Sequence, residues 1–110
     1  MDSLESFVSA QARDYGTALA EIRSGHKRSH WMWYIFPQLQ GLGMSSTAQY
    51  YGIRGIEEAK RFIAHPVLGR NLREISGALL ELDTNDPAAV MGWPDNLKLC
   101  SCMTLFEAAA

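Results

Sequence analysis

Long apolar runs, cysteines and a dominant charge of one sign are what this chain has least of. No stretch approaches the ~20 consecutive apolar residues that cross a bilayer, so no membrane span and no membrane partner are expected. Only two cysteines occur, Cys100 and Cys102. On a helix they point roughly 160° apart, which excludes a mutual disulfide and leaves two free thiols. A formal charge of -2 and a pI near 5.9 exclude bulk attraction to nucleic acid, so any anion recognition must come from a local cluster. Met1 is followed by Asp2 and an amphipathic segment rather than by a basic start and an apolar run, which predicts no signal peptide and a cytoplasmic setting. No histidines or carboxylates stand at metal-ligand spacing, so neither a metal nor a cofactor is predicted. No Ser-His-Asp or Cys-His arrangement stands out either.

What is present reads as helix. With 110 residues, 47% of them hydrophobic and 20% charged, the chain is long enough for one core and too short for two. Asp2 and Glu5 have capping-box spacing, and Leu4, Phe7, Val8, Ala12, Tyr15, Leu19 and Ile22 follow the 3-4 repeat of one helix face, which Gly25 stops. Ser45 or Ser46 opens a turn through Thr47 to Tyr51, and a helix over Glu57 to Ala64 closes at His65-Pro66. His65 is read as the N-cap of the next helix, with Leu68, Leu72, Ile75, Leu79 and Leu82 on one stripe. Asp86-Pro87 starts a short helix ended by Gly92, and Pro94-Asp95 opens the last one. No segment shows sustained period-2 alternation and no internal repeat is found. The expected fold is all-α: a single domain of five to six helices with no sheet.

The chemistry concentrates in Lys27 to Leu39. Lys27 and Arg28 lie between a glycine stop and a helix start, where backbone N–H groups and cations can converge on an anion such as phosphate. Ser29 and His30 can add hydrogen bonds, and Trp31, Trp33 or Tyr34 can stack on a planar ring. The plainer reading makes Lys27 and Arg28 solvated charges, Ser29 the N-cap of a short helix from Trp31 to Phe36, and the large apolar side chains core. A buried strand is the competing reading of the same stretch. Pro37 ends it either way. Gln38 either reads a ligand edge or satisfies backbone groups. Gly41, Gly43, Ser45 and Ser46 resemble a phosphate cradle only superficially, since the Gly-Lys-Ser/Thr ending of a Walker loop is missing.

The last helix holds an oddity. At ~100° per residue its apolar arc runs through Leu105, Cys102, Phe106, Leu99 and Met103, and Asp95 and Lys98 fall within it. Either Asp95 pairs with Lys98 at i, i+3 while the lysine stem lies on the core, or Lys98 points into a cleft and binds a negative group.

Three strings carry a family resemblance: KRSHWMWYIFPQLQGLG at 27 to 43, EAKRFIAHPVLGRNL at 58 to 72 and DNLKLCSCMTLF at 95 to 106. They resemble a bacterial family catalogued as a domain of unknown function, whose members are often labelled calpastatin. The resemblance covers nearly the whole chain and implies a small all-α cytoplasmic protein, with no established activity. Its signature polar positions fall on Lys27, Ser29, His30, Gln38, His65, Asp95, Lys98, Ser101 and Thr104. Cys102 departs, since members more often have Ser there. Members also continue past Met-Thr-Leu-Phe with a further helix, whereas this chain stops at Ala110 inside a helical pattern. A fainter similarity is to the helical superfamily of NAD and ADP-ribose metabolism, whose Trp-Gly signature does not align.

Two functional expectations result. The first is a pocket for a nucleotide-like or ADP-ribose-like anion, contacted by Lys27, Arg28, Ser29, Trp33, Gln38, Lys98 and Ser101, with His30 as the candidate catalytic acid or base. Whether turnover accompanies binding is left open. The second is a non-enzymatic interaction module, including a homodimer through the C-terminal helix region.

Overall fold

Hydrogen bonding and burial divide the chain into the helices α1 (Glu5–Arg23), α2 (Met32–Ile35), α3 (Ser46–Tyr50), α4 (Ile56–Ala64), α5 (Leu68–Leu80), α6 (Pro87–Met91) and α7 (Asp95–Ala109). The computed structural model describes residues 4–40, 46–82, 86–93 and 95–110. Asp2 of the expected capping box, most of the Gly41–Ser46 loop and Pro94 lie outside the described residues. Six helices have five or more residues and α2 is a single four-residue turn. Among the described residues no strand forms. One parallel bridge pairs Leu39 with Ile53, through Ile53 N–H to Gln38 O at 2.9 Å and Gln40 N–H to Ile53 O at 2.7 Å.

The end of α1 shows how local sequence sets the path. Gly25 adopts φ 88, a left-handed value that a side chain would strain. Its N–H donates to Ile22 O at 2.9 Å and the His26 N–H donates to Glu21 O at 3.2 Å, the paired bonds of a Schellman motif. The chain therefore reverses and carries residues 26–31 back past the last turn of α1. The buried face of α1 is Leu4, Phe7, Ala10, Gln11, Ala18, Glu21 and Ile22. It differs from the apolar stripe expected from spacing: Ala12 is exposed, and Gln11 and Glu21 are inside.

Helix α1 packs on α5 and α2, α4 lies against both α5 and α7, and α6 packs on α7. Phe62 links the layers, edge-on to Phe7 at 5.2 Å and tilted against Phe106 at 5.2 Å. Trp31, Met32, Ile35 and Phe36 are buried in the same core. The short helix, not the strand, is what forms there. Ser29 does not cap it: the N-cap position is Trp31, without a side-chain cap. His65 does act as a cap, its Nδ1 accepting from the N–H groups of Val67 at 3.1 Å and Leu68 at 3.3 Å. Between α1 and α5 two buried amides are joined, Asn71 Nδ2 donating to Gln11 Oε1 at 2.9 Å while Gln11 Nε2 donates to Tyr34 O at 2.8 Å. Each amide thereby offsets the desolvation of the other.

The α4–α5 crossing depends on a glycine. A Cβ on Gly69 would stand 2.0 Å from the carbonyl oxygen of Ile63, whereas one on Gly77 of the same helix would meet nothing within 4 Å. Gly69→Ala is therefore expected to destabilise by about 1–3 kcal/mol through overpacking against backbone. Gly77→Ala is expected to stabilise by about 0.5–1 kcal/mol through helix propensity. Urea unfolding of the two variants checks the pair, and equal effects would refute the close approach.

Candidate functional site

The site is built from the last turn of α1, the 26–31 segment and the first turns of α7. Glu21 is buried, and among the described residues no cation pairs with its carboxylate. Instead Oε1 accepts from the backbone N–H of Arg28 at 2.6 Å, the backbone N–H of Ser29 at 2.9 Å and the indole Nε1–H of Trp31 at 3.0 Å. Oε2 accepts from Ser29 Oγ at 2.6 Å. Burial alone would raise this carboxyl, but the bonds from Ser29, Arg28 and Trp31 outweigh it and hold Glu21 down at about 2. The N–H groups and hydroxyl expected to face an external anion are thus turned inward onto a carboxylate of the protein itself.

Lys27 is drawn in the same way. Its side chain is 7% exposed, and Nζ donates to Asp95 Oδ2 at 2.7 Å and to Ser29 O at 2.7 Å, 5.0 Å above the Trp31 ring. An ammonium has three donors, and this one has two hydrogen bonds and an aromatic face. Its backbone N–H is bonded to Val90 O at 2.8 Å, which moors the segment to α6. Asp95 sits in the first turn of α7, where the dipole favours a carboxylate. Burial would raise Asp95, but Lys27 and then Lys98 pull it below the ordinary carboxylate range.

Lys98 shares that carboxylate, with Nζ 3.3 Å from Asp95 Oδ1 and 4.8 Å above the ring of half-buried Trp33. Its side chain is 26% exposed. The plainer sequence reading of Lys98 is the one the geometry matches: it pairs with Asp95 at i, i+3 and remains partly exposed, beside an aromatic ring. Lys27, Asp95 and Lys98 together carry one net positive charge, and Lys98 is the more exposed of the two lysines.

The remaining predicted residues are placed as follows. Arg28 contributes its backbone N–H to Glu21 and leaves its side chain exposed. His30 is exposed, and its carbonyl accepts from Tyr34 OH at 3.2 Å. Ser101 is half-buried one turn beyond Lys98. Gln38 is half-buried, and its main-chain carbonyl accepts from the Ile53 N–H at 2.9 Å, a bond independent of its side chain. Thr104 bonds back to Cys100 O at 2.9 Å. Cys102 is fully buried, and burial raises its thiol far above the ordinary range, while Cys100 is exposed. The thiol that replaces the expected serine is therefore a core group and not a reactive one.

Two features escaped the sequence reading. Glu21 was passed over, although Gln11 and Glu21 fall with Phe7, Ala18 and Ile22 on one 3-4 stripe, and polar residues on a buried stripe were the available signal. Trp93, two residues before the start of α7, is 79% exposed. Among the described residues no group of three or more His, Cys, Asp or Glu can hold a metal, and no helix is long and apolar enough to cross a membrane.

Fold and site define a small all-α domain in which two lysines share one carboxylate beside tryptophan rings. The chain belongs to the protein family of unknown function DUF1810, whose profile matches residues 1–110. It is similar to a conserved hypothetical protein, Rv1873 from Mycobacterium tuberculosis, solved as a crystal structure at 1.38 Å, with 47% identity and a TM-score of 0.95. That match covers 97% of this chain and 76% of the other. No curated protein matches the chain.

Because Glu21 is held down at about 2 against an ordinary 4.5, its contribution to stability is present above pH 4.5 and is lost as pH falls toward 2. Glu21→Gln is expected to cost on the order of 3 kcal/mol near neutral pH, and the gap to wild type should narrow through that window. Denaturant unfolding of both proteins as a function of pH measures it. A gap independent of pH would refute the charged, donor-saturated Glu21.

Proposed function

We propose that the domain binds a small nucleotide-like or ADP-ribose-like anion on the face formed by Lys98 and Trp33. The observation that supports this reading is the unequal state of the two lysines. Lys27 is buried with two hydrogen bonds and an aromatic face, whereas Lys98 has one contact, at 3.3 Å to Asp95, and is 26% exposed beside a half-buried ring. An anion on Lys98 would gain a charge-assisted hydrogen bond, and a planar group could lie against Trp33. Arg28 and His30, exposed on the adjoining segment, add positive charge or donors, and Ser101 stands one turn further along α7. Lys27 and Ser29 serve this face by positioning it: they fix Asp95 and Trp31 and do not contact ligand. Cleavage at a glycosidic or phosphate-ester centre, with His30 moving the proton, is the reaction to assay once a ligand is found.

A second reading is favoured by a separate feature. An apolar groove of about 320 Å³ lies among α5, α6 and α7, with Leu79, Leu80, Val90, Leu99 and Met103 in its walls, and Leu80 is 87% exposed. Such a surface supports self-association through the C-terminal helix region. A clean monomer in size-exclusion chromatography at high concentration would count against it.

Thermal-shift screening with NAD, ADP-ribose and inorganic phosphate tests the leading reading. A ligand present at 100 times its dissociation constant adds about 2.7 kcal/mol of stability. Lys98→Ala is expected to weaken binding by about tenfold or more while leaving the fold intact. No shift with any of the three in the wild-type protein, or equal binding by the variant, would overturn it.

A further inference from the structure

A cleft of about 660 Å³ opens between α1, α3 and the 52–54 link, and none of its lining residues belongs to the Lys98–Trp33 face. Its volume falls within the range of small-molecule sites. Three chemistries are represented in its walls: two arginines, Arg13 and Arg54; an exposed tyrosine, Tyr50; and two carboxylates, exposed Glu5 and buried Glu58.

Tyr50 is 67% exposed, an unusual position for so large a ring. It is nonetheless held. It stands edge-on to Tyr51 at 4.8 Å, and Tyr51 packs in turn on Tyr34 at 5.0 Å and Phe7 at 5.8 Å. An exposed ring mounted on a partly buried aromatic stack loses little freedom when a planar group settles on it. The wall beside it is also fixed. Gln40 Nε2 donates to Gln49 O at 3.0 Å, and the backbone at Gly52 runs so close that a Cβ would stand 2.6 Å from Gln40 Cα.

The two arginines are exposed side chains that start from fixed backbone. The backbone N–H of Arg54 donates to Glu58 Oε1 at 3.1 Å, and Glu58 is buried with Arg61 3.6 Å from its other oxygen, so its charge is met from the protein side. Arg13 gives its Nε to Asp14 at 3.1 Å and is also held by the Tyr34 side chain, over whose ring it stands at 5.8 Å; with five N–H donors its guanidinium can serve a further acceptor.

We propose that this cleft binds a mononucleotide. The base lies on Tyr50, the phosphate accepts from the Arg13 and Arg54 guanidiniums, and the sugar hydroxyls donate to Glu5. The three lining chemistries match the three parts of such a ligand: a π face for a π face, guanidinium forks for phosphate oxygens, a carboxylate for a diol. This site stands independently of the Lys98–Trp33 face.

Amide NMR titration of the isotope-labelled chain with adenosine 5′-monophosphate tests it, with adenosine and inorganic phosphate as the partial ligands. Shifts are expected to cluster at residues 5–13 and 49–58, with both partial ligands binding more weakly. Arg54→Ala should weaken binding by about tenfold or more and Tyr50→Ala by about fivefold or more, with the spectrum of the free protein otherwise preserved. Gly77→Ala, on α5 and outside both faces, should leave this affinity unchanged. Shifts confined to residues 27–33 and 95–101 would uphold the other site and overturn this one. No shift at millimolar ligand, phosphate binding as tightly as the nucleotide, or an unaltered Arg54→Ala affinity would each overturn it.

Discussion

A single buried carboxylate, that of Glu21, is the constraint on which the rest of the site depends. Its place in the last turn of α1 is unfavourable twice over: a helix C-terminus repels negative charge, and the side chain is out of water. Four donors from one short segment compensate, two backbone N–H groups, a hydroxyl and an indole. Those bonds fold the segment onto α1 and set the plane of Trp31. Trp31 in turn provides the face over which the Lys27 ammonium sits, and Lys27 fixes Asp95. Asp95 then holds Lys98 over Trp33. Each link is an electrostatic contact whose partner is oriented by the link before it.

Charge within this arrangement is graded from inside to outside. Glu21 is neutralised by neutral donors, Lys27 by a carboxylate, a carbonyl and a ring, and Lys98 by a shared carboxylate at a longer distance. Desolvation decides the order, since the deeper a charge lies the more complete its coordination has to be. The surface lysine can keep unused donors because water supplies what the protein does not. A ligand that displaced that water would meet a cation already aimed by Asp95, with its conformational freedom partly lost beforehand.

Much of this was legible in the sequence. Hydrophobic periodicity marked the helical class and the spans of α5 and α6. Gly25 announced the stop of α1, His65 the cap of α5, and the placement of Lys98 on an apolar arc signalled its tie to a carboxylate. The spatial meeting of Lys27 with Lys98 through Asp95 joins residues that no local pattern relates. What stayed hidden has physical causes. The expected α1 stripe was shifted by about one residue because apolar residues alone defined it, and the buried polar pair Gln11 and Glu21 belongs to the true one. Ser29 carries the composition of an N-cap, but a hydroxyl bonds whichever acceptor the fold brings nearest, and here that is Glu21. The exposed ring of Tyr50 and the cleft beneath it come from α1 meeting the 46–54 segment, a contact that spacing within either element does not encode.

The Lys27–Asp95 contact joins positions far apart in the chain. An ion pair spanning that much of the sequence is late to form, because the closure of the intervening loop costs entropy before the contact returns any energy. Until α7 docks, Lys27 lacks its carboxylate, Lys98 lacks its place beside Trp33, and only the Glu21 ring of donors stands assembled. The charge arrangement at this face is therefore tied to the docking of α7 and not to any local element. During synthesis this arrangement of charges stays incomplete until α7 has left the ribosome, so a partly made chain presents a different surface here from the folded domain.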